Sequence, residues 1–169
     1  NILLNIAKKF NPKYLVIIDM DRENILLTRE YILTSFNTTK GDDWAVMAAN
    51  QTHNYYDLFA LDTYDNWGGS QQNYKHIPKN NDPIEVKSCF GGFAIYKMKY
   101  LKNLTYNSKT TGSTLFNKNE KQELIEDCEH KSLNAGIIKN GGKIYINPKM
   151  INGRGQKNIF TTFRSILPI

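Results

Sequence analysis

The run Tyr14-Leu15-Val16-Ile17-Ile18 stops at Asp19-Met20-Asp21, and this junction constrains the fold more than any other feature of the chain. An uninterrupted run of that length reads as a strand buried on both faces, the habit of parallel sheets. Open α/β sheets gather their ligands beyond the carboxyl ends of the strands. Carboxylates placed directly after such a strand therefore stand where a ligand would bind. Two acids at i, i+2 can converge on one hard divalent cation, which in turn can hold a diphosphate. The same pair also suits the start of a solvated loop, and spacing alone leaves both readings open.

At 169 residues the chain is long enough to bury a core without staples, and it reads as one domain, residues 1–169. With 40% hydrophobic and 22% charged residues it has a globular composition, not a disordered one. The net charge of +6 comes from lysines scattered along the chain. Scattered lysine reads as a solvated surface, which argues against nucleic acid as a partner and suits an anionic small molecule. Cys89 and Cys128 lack zinc-site spacing, so they read as buried thiols of a reducing, cytoplasmic compartment. No apolar run reaches the length of a transmembrane segment. Sequons at Asn37, Asn50 and Asn103 are of a kind that arises by chance.

Along the chain, Ile2, Leu3, Ile6 and Phe10 share a helical face, and Asn11-Pro12 ends that helix. Residues 29–37 are a short helix or strand, and 44–49 are a second buried strand. The stretch 62–83 is a long Asn/Gly/Asp-rich loop, and long loops in compact domains tend to serve function. A third strand spans 85–96, interrupted by Gly91-Gly92, where glycines mark a bulge or a close backbone approach. A polar loop follows over 101–119, then a helix over 120–138 with acids in its early turns and Asn140-Gly141-Gly142 at its end. Ile144-Tyr145-Ile146 forms a last short strand capped by Asn147-Pro148. The tail, 151–169, reads as extended or poorly ordered.

Several blocks together resemble a known family. Tyr14–Asp21 is similar to the DxD strand of GT-A-type nucleotide-sugar glycosyltransferases. Asp43-Trp44-Ala45-Val46-Met47-Ala48-Ala49-Asn50-Gln51 and Tyr55-Tyr56-Asp57-Leu58-Phe59-Ala60-Leu61 resemble a segment of a GT-A group found in bacteria and large viruses. Ser88–Tyr96, Cys128-Glu129-His130 and Lys143–Pro148 follow in the order that group shows. One departure stands out: the family often carries another Asp straight after DxD, where this chain has Arg22.

The resemblance implies an α/β fold with a GT-A-like mixed, mainly parallel sheet flanked by helices. It also implies a partial domain, because the nucleotide-binding half of such enzymes would have to lie before residue 1. The rival is a naturally short domain that completes its sheet another way. The activity implied is metal-dependent transfer of a sugar from a nucleotide-sugar donor to a glycan or protein acceptor. Asp19 and Asp21 would hold Mn²⁺ or Mg²⁺, with His130 as a further metal ligand or a hydrogen-bonding group. Glu129, with Asp127 as second choice, would be the catalytic base; the competing reading makes both acids decoration of an exposed helix face. Gly91 and Gly92 would let the donor sugar approach the backbone, and Asp57 would contact a donor or acceptor sugar. Trp44 suits core packing better than sugar stacking, and His53 and His76 have no assigned role. The alternatives are a nucleotidyltransferase, although no Gly-rich phosphate loop is present, and a non-catalytic sugar-binding domain.

Overall fold

Three segments of small and aliphatic residues form the centre of the sheet, because each is buried along its whole length or nearly so. They are β2 (Val46–Gln51), β4 (Phe93–Lys97) and β5 (Ile144–Asn152). The computed structural model describes residues 1–20, 22–52, 54–65, 76–107 and 128–153. Two more strands, β1 (Tyr14–Ile18) and β3 (Ile84–Val86), complete a five-stranded sheet in the order β1-β4-β2-β5-β3. Helix α1 (Ile2–Phe10) precedes β1, α2 (Arg29–Leu33) lies between β1 and β2, and α3 (Glu129–Lys139) precedes β5. The fold is therefore α/β with an open, mixed sheet.

The sheet is not mainly parallel. Only β2 and β5 pair in parallel; β1–β4, β2–β4 and β3–β5 are antiparallel. A buried apolar run reports burial and not the direction of its neighbour, which is why β4 reads like a parallel strand. β1 is also not buried on both faces: it lies at the edge, with Val16 48% and Ile18 41% exposed. Nonetheless β1, β2 and β5 run in one direction, so their carboxyl ends share one end of the sheet with the amino end of β4.

Each face carries its own core. On one, Leu4 of α1 and Leu133 and Ile137 of α3 pack with Val46, Ala48, Ala94, Tyr96, Ile144 and Ile146. On the other, Met47, Phe93, Ile95, Tyr145 and Met150 pack with Trp44, and Ile32 of α2 lies against them. The period-2 alternation along β2 and β4 sorts the side chains between these layers. Trp44, 2% exposed, is a packing residue: its ring stacks on Tyr14 at 5.9 Å, with Phe36 edge-on.

Several boundaries differ from the sequence reading. The segment 85–96 is two strands at different places in the sheet, and Gly91-Gly92 is a turn leading into β4, not a bulge within one strand. Helix α3 begins at Glu129, because Cys128 is extended at its amino end; residues 120–127 lie outside the described residues. β5 does not stop at Asn147-Pro148 but runs to Asn152. Pro148 has no N–H to donate, and there the ladder slips: Ala49 pairs with Asn147, but Asn50 pairs with Ile151. Side-chain amides surround the slip, with Asn50 Nδ2 donating to the Pro148 carbonyl and Asn147 Nδ2 to the Thr34 and Ser35 hydroxyls. Of the tail, Ile151 and Asn152 are extended as part of β5 and Gly153 follows; residues 154–169 lie outside the described set.

In α1 the four apolar residues do share a face, but it is the exposed one. Ile2, Leu3 and Phe10 are each 78% exposed or more, while Leu4 is 5% exposed and faces the sheet. No helix among the described residues is long and apolar enough to cross a membrane. Two adjacent leucines therefore separate burial from composition. Leu4→Ala lowers the unfolding free energy by about 2–4 kcal/mol, whereas Leu3→Ala changes it by about 0.5 kcal/mol or less, in urea unfolding. Equal effects from the two would refute this placement of α1.

Candidate functional site

Asp19 follows β1 at the end of the sheet where β1, β2 and β5 finish, and its backbone is fixed there. Its N–H donates to the Gly92 carbonyl at 2.9 Å, which sets the first acid of the pair beside the glycine turn. Asn24 ties the same two points from the side, its Nδ2 lying 2.9 Å from both the Asp19 and Gly92 carbonyls. Asn152, at the end of β5, donates to the Asn24 Oδ1 at 2.9 Å and to the Gly91 carbonyl at 2.6 Å. Gln51, at the end of β2, donates to the Gly91 carbonyl at 3.1 Å and to the Asn152 Oδ1 at 2.9 Å. Three amide side chains thus join the ends of β1, β2 and β5 to one turn.

The turn itself requires glycine. Gly91 and Gly92 have φ of +65° and +77°, a region that L side chains rarely enter. A Cβ on Gly91 would lie 2.6 Å from the Ala49 carbonyl oxygen, and one on Gly92 would lie 2.8 Å from the Tyr56 hydroxyl. Contacts within the protein therefore account for both glycines. Asp57 holds the turn from the other side: one oxygen accepts the Gly91 N–H at 2.8 Å, the other the Ala60 N–H at 3.3 Å. Its carboxylate is thereby fixed in place while still lining the cleft.

A cavity of about 280 Å³ opens at this end of the sheet, lined by Asp19, Glu23, Tyr56, Asp57, Phe59, Phe90, Cys128, Glu129 and His130. Four carboxylates from three stretches of chain border it, and no Lys or Arg is among its described lining residues. Asp19, Asp57, Glu129 and His130 all line this cavity, while Asp21, Asp127 and His53 lie outside the described residues. Gln51 reaches the site through the glycine turn and by accepting the Tyr56 N–H at 3.3 Å, and Asn50 bonds to the Ile77 and Pro148 carbonyls. Asp43 pairs with Lys143 at 2.6 Å ahead of β2, at the opposite end of the sheet.

Glu129 sits in the first turn of α3 with its side chain 54% exposed, within reach of solvent and cleft alike. His130 beside it is 8% exposed, stacked on Phe90 at 3.9 Å with Tyr106 edge-on at 5.5 Å. Burial pulls its pKa below the ordinary histidine value, against the opposing pull of Glu129 and Asp57. The ring is accordingly neutral near pH 7. Its Nδ1 is buried with no hydrogen-bond partner among the described residues, and its Nε2 lies 4.0 Å from the Glu129 carboxylate. Burial also pushes the Cys128 thiol up to about 11, so it is no thiolate nucleophile at neutral pH.

The donor chemistry suits a divalent cation: carboxylate oxygens and a neutral imidazole with an unsatisfied nitrogen are ligands for Mn²⁺, and carboxylates alone for Mg²⁺. Among the described residues no three such groups already converge on one point. Glu23, Asn24 and Asn152 escaped the sequence reading. They follow no spacing rule, and only the closing of 22–26 onto the end of β5 brings them in, where the Gly153 N–H meets the Glu23 carbonyl at 2.6 Å.

Two measurements test this geometry. Gly91→Ala costs about 2–5 kcal/mol of unfolding free energy, combining left-handed strain with an immovable backbone clash. Gly41→Ala, also at positive φ but with nothing within 4 Å, costs only the strain, about 1–2 kcal/mol. For His130, the imidazole titrates below about 6.5 by NMR. The unfolded chain then binds the extra proton first, so stability falls as the pH drops from about 6.5 through the folded-state pKa. A titration midpoint above the ordinary value would overturn the burial argument. Comparison of the chain with family models, with curated proteins and with solved structures finds no match in any of the three.

Proposed function

We propose that the cleft is the active site of a metal-dependent glycosyltransferase of GT-A type, acting on a nucleotide-sugar donor. The observation that carries this reading is that the carboxylates of residues 19, 23, 57 and 129 border one cleft whose described lining residues include no Lys or Arg. Such a cleft repels a diphosphate, and a bound divalent ion reverses that repulsion. Asp19 and Asp21 are the residues that would hold Mn²⁺ or Mg²⁺, with the unsatisfied Nδ1 of His130 as a further donor. When bound, the metal supplies neutralisation of the charge that builds on the departing diphosphate.

The residues of the chain do the rest. Glu129 takes the proton from the acceptor hydroxyl as its oxygen attacks the anomeric carbon. The new glycosidic bond forms, the bond from that carbon to the diphosphate oxygen breaks, and the electron pair leaves with the nucleoside diphosphate. Asp127 is the second candidate for the base. Asp57 and the amides of Asn24, Gln51 and Asn152 are positioning residues, because they hold Asp19 and the glycine turn at fixed separation.

The test is donor hydrolysis by the full chain over a panel of UDP-, GDP- and dTDP-sugars with Mn²⁺ or with EDTA. Turnover is lost with EDTA, and Asp19→Asn and Asp21→Asn each lower it by about 100-fold or more. Glu129→Gln stops transfer while donor binding stays within about threefold of the parent. Metal-independent turnover, or an Asp21→Asn protein of full activity, would sink the assignment. Glycan binding without turnover of any donor would instead mark a non-catalytic sugar-binding domain.

A further inference from the structure

Phe59 is 63% exposed, yet it stands in the wall of the acidic cleft. A single exposed aromatic ring is ordinary on a protein surface. The support beneath this one is not. Residues 58–60 form a turn whose closing Ala60 N–H is held by Asp57, the same carboxylate that holds Gly91. The Leu58 N–H donates to the Tyr56 carbonyl at 2.9 Å, and Tyr55, Ala60 and Leu61 on either side are buried. An exposed ring is thus carried on a backbone pinned to the centre of the site. Tyr56, 38% exposed, lines the same cleft, and Lys131 Nζ of α3 approaches the Phe59 ring to 5.7 Å.

We infer that Phe59, with Tyr56 beside it, is the platform on which a pyranose ring stacks at the mouth of the cleft. A pyranose has an apolar C–H face and an equatorial fringe of hydroxyl donors. An aromatic face answers the first, and the carboxylates of Asp57 and Glu129 answer the second. Binding sites that combine apolar rings with a few fixed polar groups orient a ligand in this way. Two χ angles on a fixed turn leave little side-chain freedom to lose on binding. Phe59 is then a specificity residue, discriminating sugars by whether their C–H face is flat enough to stack. The inference rests on the reading of the cleft as a sugar-transfer site.

The experiment uses the full chain with two probes: methyl glycosides of glucose, galactose and mannose, and the UDP-, GDP- and dTDP-sugars with Mn²⁺. Affinities are read by saturation-transfer NMR for the parent, Phe59→Ala, Phe59→Trp and, as a remote exposed control, Phe10→Ala. Phe59→Ala weakens at least one probe class by about tenfold or more, Phe59→Trp restores it to within about threefold, and Phe10→Ala leaves it unchanged. Loss confined to the methyl glycosides assigns the platform to the acceptor ring, and loss confined to nucleotide-sugars assigns it to the donor ring. Binding of neither class by the parent, or Phe59→Ala within about twofold of the parent for both, overturns the inference. The transferase reading fails separately. Phe59-dependent glycoside binding without any metal-dependent donor turnover keeps the platform and removes the enzyme.

Discussion

The bond from the Gly91 N–H to the Asp57 carboxylate, with the amides gathered on the Gly91 carbonyl, ties Asp57 and the ends of β2 and β5 to one turn in the cleft. One peptide turn is held from four directions: Asp57 below β2, Gln51 at its end, Asn152 at the end of β5 and, through Asn24, the end of β1. Hydrogen bonds to a charged acceptor and among buried amides are worth more in a shielded interior than in water, and leaving one unmade costs more than making it gains. The network is therefore cooperative in the sense that matters for a site. Losing one amide strands its partners, and the separation between Asp19 and Asp57 is no longer specified.

That same network explains what could be read from the residues and what could not. The acid after β1 was legible because an apolar run followed by Asp carries its own geometric meaning. The burial of β2 was legible too, since Ala and Met without charge leave no other place for the segment. Strand direction was not, because β4 is buried on both faces like a parallel strand yet runs antiparallel to both neighbours. Nor was the end of β5: Asn147-Pro148 looks like a cap, yet the strand resumes its pairing with β2 beyond it at Ile151 and Asn152. Glu23 and Asn152 belong to the site through closure over more than a hundred residues, a separation that no local pattern encodes. Asp57 stood out as a residue to contact a sugar, and no local pattern announces that the Gly91 and Ala60 amides hold its carboxylate.

Charge is distributed unevenly along the strand direction. Four carboxylates border the cleft where β1, β2 and β5 end. At the opposite end Lys13, Lys97, Lys99 and Lys102 surround a second cavity, with Asp42 held by Lys97 at 2.5 Å. Among the described residues this lysine cluster lies away from the acidic cleft. Separated potentials of this kind attract a cation to one end of the molecule and anions to the other.

The two edges of the sheet are built differently. β3 is three residues long, follows Pro83 and carries Glu85, all features that discourage another strand from joining. β1 offers five residues without a charge, a proline or a bulge, and among the described residues only β4 pairs with it. Among the described residues β1 is therefore the one edge open to strand-to-strand association. Two copies that meet through β1 use up each other's open edge and close as a two-fold pair. A filament would need both edges receptive, and the guarded one at β3 denies it that second point of growth.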